Sequence, residues 1–141
     1  MRSETTRSEA ETESLAAEIA TSMRGGEIVL LEGELGAGKT VFVRGLARGL
    51  GVTAEDVTSP TFVLLTSHPG RLTLYHADLY RLRGDGDEEE LGLEELPGPK
   101  GVLAVEWAER LAAPPWPRRL RVRLAHLTAE TRRIEVTEEA G

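Results

Sequence analysis

The chain has no cysteine, no asparagine and no glutamine, and lysine fills only two of its seventeen basic positions. Each scarcity excludes something. Without Cys there is no disulfide framework or disulfide partner, no thiolate metal site and no cysteine nucleophile. The three histidines, His68, His76 and His126, are scattered and lack the spacing of a zinc site. No apolar run approaches the ~20 residues that span a bilayer, and the polar start does not read as a signal peptide. The expectation is a cytoplasmic protein with no membrane partner. A formal net charge of -7 argues against broad contact with nucleic-acid phosphates.

What remains is ordinary for a globular chain: 141 residues, 40% hydrophobic and 29% charged, which predicts one domain over 1–141 with a substantial core. Residues 1–7 are polar and are expected to fray. Ser8 and Glu11 have capping-box spacing. Leu15, Ala16, Ile19, Ala20 and Met23 follow at helical intervals, with Gly25-Gly26 as the expected stop. Ile28–Leu31 is a short continuous apolar run, the pattern of a strand buried on both faces. A Gly-rich turn leads into a second helix, with Val43, Leu46, Ala47 and Leu50 inward and Gly51 at its end. Phe62–Leu65 and Leu72–Tyr75 read as an antiparallel hairpin turning at His68-Pro69-Gly70. The acidic segment 84–100 holds a short helical candidate at Glu88–Leu96. Val102–Val105 is a second buried-strand signal, and Leu120–Leu124 and Ile134–Val136 alternate as strands. The fold class expected is α/β with a mixed sheet.

Gly33-Glu34-Leu35-Gly36-Ala37-Gly38-Lys39-Thr40 matches G-x-x-x-x-G-K-[ST], the phosphate-binding loop. Glycines let the backbone turn its N–H groups onto phosphate oxygens, and the helix that follows favours an anion at its N-terminus. Val41 offers a further N–H. Lys39 supplies a compact charge for the β- and γ-phosphates where a planar Arg fork would serve poorly. Thr40 offers a hydroxyl to Mg²⁺. A chance match in a chain of this length is about one in a hundred, and this one lies between a buried-strand signal and an amphipathic helix, as the mechanism requires. The plain alternative is a Gly-rich turn that binds nothing. With no Asn, the base-reading Asn/Thr-Lys-x-Asp motif of guanine-specific proteins is excluded, which leaves ATP as the better choice.

A phosphate loop needs an acid near Mg²⁺, usually at a neighbouring strand end. Glu106 ends the apolar run Val102–Val105, which would bring it out at the carboxyl edge of the sheet beside the phosphate loop; the plain alternative is an ordinary strand-end carboxylate. Asp78 lies in an apolar and aromatic stretch and suits binding Mg²⁺ through water, orienting the attacking water, or a turn, cap or Arg81 ion pair. Thr58-Ser59-Pro60-Thr61 has the position of a γ-phosphate-sensing loop or of a simple Pro turn. Trp107 fits a shield for the nucleotide or for a partner surface, or the core. His76 reads as structural.

Taken in order, the phosphate loop, Ser59-Pro60-Thr61-Phe62, Tyr75-His76-Ala77-Asp78-Leu79-Tyr80-Arg81-Leu82, Glu90-Leu91-Gly92-Leu93 and Val105-Glu106-Trp107 closely resemble the bacterial TsaE (YjeE) family. The likeness covers roughly residues 8–112. It implies a P-loop NTPase-like fold with a central parallel sheet flanked by antiparallel strands. It implies weak ATP hydrolysis in the service of threonylcarbamoylation of adenosine 37 in ANN-decoding tRNAs. The implied partner is the TsaB–TsaD heterodimer, with tRNA engaged indirectly through that complex. By the same resemblance Gly36, Ala37, Gly38, Lys39, Thr40 and Val41 bind ATP, and Thr40 and Glu106 bind Mg²⁺. Asp78 and Thr61 belong to switch and hydrolysis machinery. Trp107 lies near the nucleotide, and the start of the first helix, around Glu9–Thr12, lies near the base. Glu34 and Val41 depart from the commoner Asp and Thr. The turn Ala129-Glu130-Thr131-Arg132-Arg133 matches the family poorly, so contacts from it are left open. Two other classes compete: a small-molecule kinase, for which the acidic 84–100 segment is a poor lid, and a nucleotide-sensing module without turnover.

Overall fold

The computed structural model describes residues 2–34, 36–53, 57, 65–80, 92–111 and 113–140. Thr58–Leu64, and with them Thr61, lie outside the described residues, as do Leu35, Arg81–Leu91 and their motif positions. In chain order the elements are β1 (Arg2–Thr6), α1 (Glu9–Thr21), β2 (Glu27–Gly33), α2 (Lys39–Gly49), β3 (Leu65–His68), β4 (Thr73–Asp78), β5 (Gly101–Glu106), β6 (Arg118–His126) and β7 (Arg132–Ala140). Short 3-10 turns stand at Leu93–Glu95 and Ala108–Arg110.

The strands form one sheet in the order β1-β7-β6-β2-β5-β4-β3. Its middle is parallel: β6, β2, β5 and β4 run the same way. Antiparallel strands flank it, β7 and β1 on one side and β3 on the other. This is the architecture expected from the sequence. The apolar runs at 28–31 and 102–105 sit at the centre because both of their faces are covered. Val29 and Leu31 pack toward α1 and α2 with Phe42, Leu46 and Leu74. Ile28 and Leu30 pack on the opposite face with Leu103, Val105 and Trp116.

Four local expectations change. Residues 2–6 do not fray: they pair antiparallel with β7, from Arg2 opposite Val136 to Thr6 opposite Arg132. Backbone hydrogen bonding sustains this edge strand, and an edge needs no apolar run. Helix α1 ends at Thr21, four residues before Gly25-Gly26, which instead turn the chain at positive φ into β2. The described part of the first hairpin strand is β3, from Leu65, and the described part of the 88–96 candidate is a single 3-10 turn.

The two helices lie against each other on small residues. A Cβ at Gly45 would stand 2.2 Å from the carbonyl oxygen of Glu13, and one at Gly49 would stand 2.5 Å from that of Ala17. Arg71 then ties both helix C-termini together. Its guanidinium donates to the carbonyls of Met23 (2.8 Å), Ala20 (3.0 Å) and Gly49 (3.1 Å). A cation there also suits the negative ends of two helix dipoles.

Candidate functional site

The site grows out of the parallel middle of the sheet. Strand β2 ends at Gly33, the chain crosses the phosphate loop, and α2 begins at Lys39. Gly38 forms the N-cap at φ 106, a left-handed conformation that any side chain would strain, and no side chain caps the helix. The first N–H groups of a helix lack intrahelical partners, so this end is suited to an anion.

Lys39 is 5% exposed. Its Nζ donates to the carbonyls of Gly33 (2.5 Å) and Glu34 (2.9 Å) and lies 3.9 Å from the centroid of the Trp107 ring. Burial pushes its pKa below the ordinary lysine value, while the carboxylates of Glu109, Glu106, Asp78 and Glu34 oppose the shift. Carbonyls and an aromatic face thus hold the ammonium beside the loop, with no carboxylate among the described residues in an ion pair with it.

Beside it, Thr40 Oγ1 lies 3.0 Å from each carboxylate oxygen of Glu106. A carboxylate only accepts, so the hydroxyl donates. Glu106 is 2% exposed at the end of β5, and the β4–β5 register sets Asp78 level with it. Asp78 is 6% exposed, and its Oδ1 accepts from the backbone N–H of Tyr80 at 2.9 Å. The residue after Glu106, Trp107, is the one non-glycine at positive φ (59°) among the described residues. Such a conformation costs about 1–2 kcal/mol, and it places the indole over Lys39. The indole also meets Tyr80, with ring centroids 4.9 Å apart.

A cleft opens on the other side of the loop, lined by Ser8, Glu9, Thr12, Gly36, Ala37, Gly38, Val41, Glu130 and Arg132. Thr12 lines this cleft, but its hydroxyl is 2.7 Å from that of Thr6 and 2% of the residue is exposed. Arg132, left open by the sequence, reaches the site. Its guanidinium gathers the carbonyls of Thr128, Ala129 and Thr131 and approaches that of Gly36 at 3.4 Å. The topology explains this: β6 runs parallel to β2, so the turn from β6 to β7 emerges at the phosphate-loop end of the sheet.

The structure therefore brings Gly33, Gly36, Ala37, Gly38, Lys39, Thr40, Val41, Asp78, Glu106 and Trp107 to one sheet edge, with Thr12 and Arg132 at its rim. Among the described residues no three His, Cys, Asp or Glu side chains converge as a metal cluster. No described helix is long and apolar enough to cross a membrane.

Comparison with known proteins adds a family. The profile described as "Threonylcarbamoyl adenosine biosynthesis protein TsaE" matches residues 6–134. A Treponema pallidum protein named tRNA threonylcarbamoyladenosine biosynthesis protein TsaE is 52% identical over 62% of this chain and 64% of its own length. A Streptomyces coelicolor protein of the same name is 43% identical over 83% of this chain and 80% of its own. The chain spans less than two thirds of the Treponema relative and of the Bacillus subtilis relative, for which the share is 61%. The crystal structure of YdiB from Bacillus subtilis superposes with a TM-score of 0.74 at 30% identity, covering 99% of this chain and 86% of that one.

Proposed function

The chain belongs to the TsaE family of threonylcarbamoyl adenosine biosynthesis proteins, and on that premise we propose that it is the ATP-binding and ATP-hydrolysing subunit of tRNA threonylcarbamoyladenosine formation. In this reading it acts on the TsaB–TsaD heterodimer, engages tRNA only through that complex, and hydrolyses ATP slowly when alone.

The observation that carries the reading is the joint placement of Lys39, Thr40 and Glu106 at the end of the phosphate loop. Lys39 exchanges its two loop carbonyls for β- and γ-phosphate oxygens. The N–H groups from Gly36 to Val41 close around the same phosphates. The cleft between Thr12 and Arg132 takes the nucleoside end, beside the first turn of α1.

The residues present fit Mg²⁺. Thr40 Oγ1 and the Glu106 carboxylate are hard oxygen donors 3.0 Å apart, and Mg²⁺ in nucleotide sites takes one or two protein oxygens, phosphate oxygens and waters. Thr40 and Glu106 would hold the ion, which when bound neutralises charge on the phosphates. In this reading Asp78, buried and level with Glu106, orients water. Thr61, outside the described residues, is assigned with it to the switch and hydrolysis machinery.

The test is ATP hydrolysis measured alone and with TsaB–TsaD and tRNA. The rate should be low alone, rise with the partners, and fall to background in Lys39→Ala and Glu106→Ala. Hydrolysis indifferent to both substitutions would overturn the assignment. Phosphoryl transfer to a metabolite would replace it with a kinase.

A further inference from the structure

Among the described residues, the buried polar side-chain atom left without a partner is Nδ1 of His76. The other ring nitrogen is closely held: Nε2 lies 2.5 Å from Glu106 Oε2. His76 is fully buried on β4, two residues before Asp78 and on the same face of the sheet. Ala104 stands directly opposite it on β5 and carries only a methyl, so nothing bulky separates the imidazole from Glu106, two residues further along.

The carboxylate only accepts, so Nε2 carries the hydrogen and donates it. A histidine kept for packing alone is expected to satisfy both nitrogens, as buried polar atoms generally do. This one leaves Nδ1 bare and commits Nε2 to the acid. The acid in turn receives the Thr40 hydroxyl, which makes a continuous chain from β4 through β5 to the first turn of α2.

We propose that His76 is a positioning residue for Glu106. It fixes Oε2 from within the core so that the carboxylate faces Thr40 and the Mg²⁺ of a bound nucleotide. The inference rests on the nucleotide reading above and deepens it. Partners that orient a metal-binding side chain typically change metal affinity 10–100-fold when removed. His76→Phe keeps a planar ring and removes the donor. His76→Gln returns an amide N–H close to where Nε2 lay.

The test is titration of the full chain with a fluorescent ATP analogue, at a series of Mg²⁺ concentrations and in EDTA. In EDTA, wild type, His76→Phe and His76→Gln should bind alike. His76→Phe should need roughly 10-fold more Mg²⁺ for half-maximal tightening, and His76→Gln should stay near wild type. In a Glu106→Ala background, His76→Phe should change nothing further. The inference is overturned if His76→Phe keeps the wild-type Mg²⁺ dependence, if the Phe and Gln variants shift equally, or if binding is lost equally with and without Mg²⁺. Should His76→Phe fail to fold by circular dichroism, His76→Asn replaces it, since its shorter amide falls short of Glu106 and should show the same Mg²⁺ shift. Wild type that binds no nucleotide defeats the nucleotide reading itself. Wild type with normal Mg²⁺-dependent binding beside an unshifted Phe variant defeats this inference alone.

Discussion

Replacing Gly45 by Ala sets two effects of opposite sign against each other, and the structure decides between them. In an exposed helix the change would stabilise by about 1 kcal/mol, because Ala loses less backbone entropy. Here the new Cβ would sit 2.2 Å from the Glu13 carbonyl oxygen and 2.6 Å from the Ala16 Cβ. Ordinary non-bonded contact needs about 3.5 Å, so α1 and α2 must separate by roughly 1 Å at their crossing. Overpacking of this kind costs about 1–3 kcal/mol, and the obstacle is backbone, which cannot rotate away. Because backbone must move, the cost lies in the upper part of that range, about 2–3 kcal/mol, and exceeds the propensity gain. Gly45→Ala should therefore destabilise by about 1–2 kcal/mol and lower Tm by roughly 3–8 °C for a domain of this size. Urea denaturation followed by circular dichroism, with a parallel thermal melt, measures it. Adding Ala16→Gly should restore only part of the loss, since the nearest atom belongs to Glu13. Unchanged or increased stability in Gly45→Ala, or full rescue by Ala16→Gly, would refute the reasoning. Nucleotide affinity should fall in step, because the N-terminal ends of both helices line the cleft.

Three other outcomes are expected. Arg71→Ala strands three carbonyls at two helix ends and should cost about 2–3 kcal/mol in the same denaturation assay; Arg71→Lys should recover part of it, since one ammonium cannot span the fork. In a Trp116→Phe background Trp107 is the sole tryptophan, and ATP should change its emission as Lys39 leaves the ring; an unchanged spectrum at saturation would refute that movement. Glu139 is held below the ordinary carboxylate value of 4.5 by its hydrogen bond to Arg121 and then by Arg119. Its folded-state value lies below the unfolded one, so the stability it contributes is present above about pH 4.5 and is lost as pH falls through the folded value. Glu139→Gln should thus lose up to about 1 kcal/mol at neutral pH and show a shallower acid limb in stability measured from pH 6 to 3.

The sequence made legible whatever is written locally. A buried strand, a glycine-rich turn and an amphipathic helix announce themselves within 24 residues, and Glu106 could be singled out because it ends the apolar run Val102–Val105 of a second buried strand. What it concealed depends on pairing between distant segments. Strand β1 is polar, and only its register with β7 makes it a strand. Gly45 and Gly49 have the spacing of any helix face, and their meaning appears only when Glu13 and Ala17 lie across from them. Arg132 enters the site because β6 aligns parallel to β2 and delivers its turn to the phosphate loop. His76 is the sharpest case. Period-two alternation places it on the same face as Asp78, which a reader of the sequence can count. That its ring meets Glu106 follows from the β4–β5 register, which sets Asp78 against Glu106 and Ala104 against His76. A slip of one residue in that pairing would turn the imidazole to the other face. The acid was thus visible as an acid at a strand end. Its orientation, which decides whether it meets Thr40, is a property of two strands and a helix together.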